Sequence, residues 1–211
     1  MRTSESFAGL SVIGIKTPGF PWGVSNAFCE AKIDSEMIHL NSIIENPKMI
    51  HEYQALALPG GFSFGDELNS GTVLAHKIKY GLGDEFFQFM ENKPVIGICN
   101  GFQALTQLGV FEKTYLAENK NHQFINQWTK VTIKNNVGPW LHGFDSGESF
   151  YLPIRHQEGN LQAKQLISDD QIGLTYLENP NGSQQDIAGL ISKNKMALGL
   201  MPHPEIAIYR E

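Results

Sequence analysis

Only two cysteines, Cys29 and Cys99, occur in the 211 residues, so the chain has neither a disulfide framework nor the paired spacing of a zinc site. That scarcity fits a reducing, cytoplasmic compartment. Basic residues are also few. Sixteen Lys and Arg against 22 Asp and Glu give a formal net charge of −6, which argues against a nucleic-acid binder. No apolar run approaches the ~20 residues needed to span a bilayer. The first nine residues hold one arginine and no long apolar stretch, unlike a secretory leader. A G-x-x-x-x-G-K-[ST] phosphate loop is missing, so the chain is not expected to bind ATP. His39, His51, His76, His122 and His142 lack the spacing of a metal site, and neither a metal nor a cofactor is expected.

What is present is a 41% apolar composition, enough for a single domain with a substantial core. Apolar, β-branched runs at 10–15, 37–40, 56–58 and 94–96 alternate with helical stretches at about 25–32, 66–80, 84–90 and 102–108. Asp66 and Asp84 are candidate caps for two of these helices. The alternation predicts an α/β fold, a mostly parallel central sheet with helices on both faces. The second half reads differently. Short strand-like runs at 131–133, 149–154, 173–176, 187–192 and 196–200 predict added, partly antiparallel strands, the last returning beside the parallel sheet. Residues 119–128 read as an ordered loop, Cys29 as a packed helix residue, and Phe86-Phe87-Phe89 as a core-facing helix with one exposed ring.

The chemistry concentrates at Gly97-Ile98-Cys99-Asn100-Gly101. Here a strand runs into a tight turn and then a helix, with the cysteine at the apex. Glycine on each side permits a turn that a Cβ would obstruct. The helix N-terminus behind the sulfur favours negative charge on it. A cysteine nucleophile also needs a base and a group to orient that base. Met201-Pro202-His203-Pro204-Glu205 supplies both, because His203 follows a strand-like run and Glu205 can turn back onto one imidazole nitrogen. The Asn100 N–H is a natural oxyanion donor, and Pro59-Gly60-Gly61-Phe62 is placed to give a second. Alone, each piece reads as a tight turn, a surface loop or a buried thiol. Together they fall at three predicted strand ends and suit one pocket.

These residues resemble the class I, triad-type glutamine amidotransferases. Within that family, Pro59-Gly60-Gly61-Phe62-Ser63-Phe64-Gly65-Asp66, Cys99-Asn100-Gly101-Phe102-Gln103 and Gly199-Leu200-Met201-Pro202-His203-Pro204-Glu205 are similar to the glutaminase subunits of phosphoribosylformylglycinamidine synthases. So are His156-Gln157-Glu158-Gly159-Asn160, Asn181-Gly182-Ser183 and Asp186-Ile187-Ala188-Gly189. The resemblance runs from about residue 10 to 205. It implies a flavodoxin-like fold and hydrolysis of L-glutamine to glutamate and ammonia through a Cys99 thioester. His203 and Glu205 complete the triad, Gly61 and Asn100 form the oxyanion hole, and Gln103 and His156 contact the substrate. The implied partner is an ATP-dependent synthetase subunit, with or without a small accessory subunit, that makes formylglycinamidine ribonucleotide in purine biosynthesis.

The match has three departures. The loop usually reading P-G-[ST]-N-C-D is Pro18-Gly19-Phe20-Pro21-Trp22-Gly23, the arginine after His-Pro-Glu is Ile206, and the glycine of H-G-E-G is Gln157. Residues 1–211 are expected to form one amidotransferase domain lacking the family's C-terminal helix. Alternatives are a glutaminase serving GMP, CTP or aminodeoxychorismate synthesis, a cysteine hydrolase or peptidase, and a non-catalytic regulatory subunit of the same fold.

Overall fold

The computed structural model describes residues 10–16, 22–61 and 71–209. The first half alternates strand and helix: β1 (Ser11–Lys16), α1 (Trp22–Glu30), β2 (Asp34–His39), α2 (Leu40–Glu45), β3 (Ala55–Leu58), α3 (Thr72–Gly81), α4 (Asp84–Asn92), β4 (Val95–Ile98) and α5 (Asn100–Gln107). Strands dominate the second half: β5 (Thr114–Ala117), β6 (Ile125–Ile133), β7 (Ser149–His156), β8 (Asn160–Ala163), β9 (Ile172–Tyr176), β10 (Ile187–Ile191) and β11 (Ala197–Leu200). Nine strands form one sheet in the order β2-β1-β3-β4-β11-β10-β9-β6-β7, while β5 and β8 pair separately. Pairing is parallel from β2 to β11 and antiparallel from β11 to β7. The mixed α/β architecture is the one expected from the sequence.

Burial explains the order. Every position of β3, β4 and β11 is buried, as required of strands covered on both faces, and each is almost wholly apolar. At the far edge, β2 has no fully buried residue. Helix α4 turns Phe86, Phe89 and Met90 inward and leaves Phe87 partly exposed. Register then positions the site. Ile98 pairs with Leu200 and Leu58 with Gly97, so β3, β4 and β11 end nearly level. Their carboxyl ends release Gly60-Gly61, Cys99 and the His203 loop along one sheet edge, where open α/β sheets place their ligands.

Several local expectations need correction. Asp84 does not cap α4. Gly83 occupies that position with φ 55°, and Asp84 sits in the first turn, where its charge still complements the helix dipole. Residues 125–128 are strand, not loop. Asn126, Gln127 and Trp128 are all exposed, so that end of β6 has no period-two signature to read. Leu40 starts α2 rather than ending β2. Cys29 lies on α1 but is exposed. The short strands β5 and β8, four residues each, are additions to the expected set. Asp66 and the segments 17–21 and 62–70 lie outside the described residues.

Candidate active site

Cys99 sits in a backbone conformation that a side chain seldom adopts, with φ 50° and ψ −106°. Such a residue costs about 1–3 kcal/mol and must be held by its surroundings. Its N–H donates to the Leu200 carbonyl at 2.8 Å, and its own carbonyl accepts from Gln103 N–H at 3.0 Å. The flanking glycines are needed for close approach. A Cβ on Gly97 would fall 2.7 Å from the Gly101 carbonyl oxygen, and one on Gly101 would collide with the Leu58 carbonyl. The elbow is thus clamped between β3, β11 and its own helix. Cys99 is buried, and its thiol points at the Arg155 carbonyl oxygen, 3.7 Å away on β7.

His203 arrives from β11. Its N–H donates to the Pro153 carbonyl at 2.9 Å, tying the loop to β7. Its Nδ1 lies 2.6 Å from Glu205 Oε1, and both side chains are only 9% exposed. Gly23 backs Glu205, since a Cβ there would stand 3.0 Å from the glutamate Cγ. Gly60 fits against both reactive groups. A Cβ there would lie 2.7 Å from His203 Cε1 and 3.3 Å from Cys99 Cβ. Burial alone would lower the proton affinity of His203, but interaction with the Cys99 sulfur and the Glu205 carboxylate outweighs it and raises its pKa to about 10. The imidazole therefore holds its proton at neutral pH. Nε2 is buried with no hydrogen-bond partner among the described residues.

Asn100 opens α5, so its N–H has no carbonyl to bond within the helix and is available beside the sulfur. Gly61 follows β3 with φ 125°. Gln103 is buried with both ends of its amide engaged. Its Nε2 donates to the Glu158 carbonyl at 2.6 Å, and its Oε1 accepts from Asn100 Nδ2 at 3.1 Å. Gln103 therefore fastens α5 to the loop after β7. His156 is buried at the end of β7. Its Nδ1 donates to Asn119 Oδ1 at 3.0 Å, and burial together with the His203 charge lowers its pKa to about 4. Asn119, fully buried, also donates to the carbonyls of Gln123 and His156 and accepts from Gly159 N–H.

The structure thus brings Cys99, His203, Glu205, Gly60-Gly61, Asn100 and Gln103 to one place, with His156 beside them. Sequence reasoning passed over Asn119 and the backbone carbonyls of Pro153 and Arg155. Carbonyls carry no residue-type signal, and Asn119 lies 37 residues from the histidine it orients. In the sequence, Gly159 and Asn181-Gly182-Ser183 are motifs without a role. In the fold they form one buried hydrogen-bonded unit, in which Asn181 Nδ2 donates to the Gly159 carbonyl at 2.8 Å.

Where the sheet is parallel, a cysteine elbow faces a histidine–glutamate pair, the arrangement of an enzyme with a cysteine nucleophile. Residues 21–211 match the model of the CobB/CobQ-like glutamine amidotransferase domain, and the chain belongs to that family. It is 34% identical over 214 residues to phosphoribosylformylglycinamidine synthase subunit PurQ of Dehalococcoides mccartyi, covering 90% of this chain and 83% of the relative. Identity to the subunit of the same name from Methanococcus maripaludis is 32% over 212 residues, covering 88% and 77%. Among solved structures, PurLQS from Thermotoga maritima superposes with a TM-score of 0.82 at 30% identity, covering 95% of this chain and 90% of that one. A putative GMP synthase subunit from Thermoplasma acidophilum, at 18% identity and TM-score 0.64, shares the fold over 93% of this chain and 84% of that one. Among the described residues, no helix is long and apolar enough to cross a membrane.

Proposed function

We propose that this chain is the glutaminase subunit of a phosphoribosylformylglycinamidine synthase. It hydrolyses L-glutamine and passes ammonia to an ATP-dependent synthetase subunit in the cytoplasm, as a single domain over residues 1–211. The observation that carries the reading is the meeting of Cys99 and the His203–Glu205 pair at the ends of paired strands. The likeness to PurQ subunits over most of the chain supports the choice of acceptor.

The geometry supports the following steps. With its proton already held by the His203 imidazolium, Cys99 Sγ attacks the side-chain carbonyl carbon of glutamine, a C–S bond forms, and the carbonyl electrons move onto oxygen. The N–H groups of Asn100 and Gly61 hold that oxyanion; losing one such donor typically costs ~100–1,000-fold in rate. His203 gives its Nε2 proton to the departing nitrogen, the C–N bond breaks and ammonia leaves. Neutral His203 then takes a proton from water as its oxygen attacks the thioester. The C–S bond breaks and glutamate departs. Glu205 keeps the ring oriented throughout. Gln103 serves the substrate side by holding the Glu158 loop, and His156 offers that side a hydrogen-bond acceptor.

The test is reconstitution. The chain alone should show weak glutaminase activity that its synthetase partner raises, and an affinity pull-down from native lysate should recover that partner. Recovery of a different amidotransferase synthetase, or strong activity unaffected by the partner, would overturn the assignment.

A further inference from the structure

Behind the reactive pair, Glu205 meets the amino end of α1. A Cβ built on Gly23, in the first turn of that helix, would stand 3.0 Å from Glu205 Cγ and 3.9 Å from Glu205 Cβ. Helical Cβ atoms tilt toward the amino end, so the glutamate side chain lies against that end of the helix. The turn at Pro204–Tyr209 packs on α1 and keeps the two together. The Glu205 side chain is nine-tenths buried. His203 Nδ1 binds one of its oxygens at 2.6 Å, and the other, Oε2, is buried without a hydrogen-bond partner among the described residues.

A buried carboxylate with one oxygen unbonded needs a source of positive potential. The amino end of a helix is one, because its first N–H groups have no carbonyl to bond within the helix and the peptide dipoles add. α1 has no acidic residue in its first turn, so no carboxylate of its own competes for that field. Two departures from the family motifs meet at this point. Gly23 stands where the motif has Asp, and Ile206 where it has Arg. Both charges are replaced together, one at the position packed on Glu205 and the other next to it in the chain. Glycine leaves the helix backbone itself facing the glutamate.

We propose that the amino end of α1, kept close by Gly23, is a positioning element of the reaction that holds the Glu205 carboxylate in place against His203. Cys99 depends on it indirectly, because the ring that faces the sulfur is the one Glu205 orients. Gly23 is thereby a positioning residue acting through Glu205 and His203, and the inference rests on the triad of the glutaminase reading.

The test compares Gly23→Asp with the isosteric Gly23→Asn in the full chain. Both crowd Glu205 alike. Only the first adds a carboxylate, without the arginine that accompanies it in the motif. The readouts are the ultraviolet thiolate absorbance of Cys99 at neutral pH, taken as the signal lost in Cys99→Ala, the steady-state constants for glutamine with the synthetase present, and the unfolding midpoint. Gly23→Asp should have a kcat at least ~10-fold below that of Gly23→Asn, as expected when two carboxylates crowd one site. Its thiolate signal should be weaker and its KM the same. Its midpoint should be equal or higher, since an acid in the first turn stabilises a helix. Equal kcat and equal thiolate signal in the two variants would overturn the proposal. A change confined to KM would place Gly23 on the substrate side and overturn it as well, and failure of both variants to fold would assign Gly23 to folding alone, with the same result. The thiolate signal needs no substrate. If it falls as expected while the unmodified chain hydrolyses no glutamine with its synthetase, the glutaminase reading fails and the positioning of Glu205 stands.

Discussion

His203 and His156 stand at one centre yet reach it from opposite halves of the sheet. His203 comes off β11, which pairs in parallel with β4, whereas His156 ends β7 on the antiparallel side. Both are almost fully buried, and burial alone would strip the proton from either. Their charges nevertheless differ. His203 meets a carboxylate at Nδ1 and a sulfur on its other side, and keeps its proton. His156 meets a neutral amide oxygen at Nδ1 and the positive His203 nearby, and stays uncharged. The half that supplies the αβ frame therefore carries the acid, and the added strands carry an acceptor. Desolvation is common to the two; the sulfur and the carboxylate on either side of His203, against a single neutral amide at His156, decide between them.

The comparison can be broken most severely on the parallel side. Cys99→Ala should lower glutamine-dependent synthesis at least ~1,000-fold, as loss of a nucleophile does, while ammonia-dependent synthesis by the complex survives. Glutaminase activity persisting in that variant would remove Cys99 as nucleophile. Next comes Gly60→Ala. Its methyl would press on both His203 and Cys99 and force them apart, and misplacement of that order costs ~100-fold in turnover. Steady-state rates with full folding by circular dichroism would check it; a near-normal rate would show that the sulfur–imidazole spacing is not critical.

On the antiparallel side the effects should be milder. Asn119→Ala removes four hydrogen bonds around His156 and should cost about 1–3 kcal/mol in urea unfolding. Cys99 and His203 remain in place, so a wholly inactive but folded variant would contradict the division of roles. The subtlest expectation concerns pH. Folded His203 binds its proton more tightly than the unfolded chain, so its contribution to stability is full below about pH 6.5 and is lost as pH rises toward 10. Folded His156 binds its proton less tightly, so stability is lost as pH falls from about 6.5 toward 4. These two groups place a stability maximum near pH 6.5. His203→Asn should flatten the alkaline limb and His156→Asn the acid limb, measured by denaturant midpoints; a limb that keeps its slope belongs to other groups.

Much of this was legible in the sequence, for identifiable reasons. Strands β3, β4 and β11 are central and continuously apolar, so they announce themselves, and their turn residues mark where the chain leaves the sheet. Cys99, His203 and Glu205 are residue types whose spacing has chemical meaning. What escaped notice depends on pairing across distance. The exposed end of β6 lacks alternation because Asn126, Gln127 and Trp128 are all exposed, whichever side of the strand they occupy. Asn119 owes its role to a strand 37 residues away. The Arg155 carbonyl at the sulfur would be present whatever residue stood at that position.

That carbonyl has a consequence outside catalysis. β7 is the last strand of the sheet, and such a strand ordinarily offers unpaired backbone groups to any passing chain, the usual seed of strand-to-strand aggregation. Here Pro153 has no N–H to offer, its carbonyl is taken by His203, and the Arg155 carbonyl is turned onto the thiol. The contacts that order the reactive loop thus also occupy two backbone acceptors of this strand, which are no longer free to pair with a second chain.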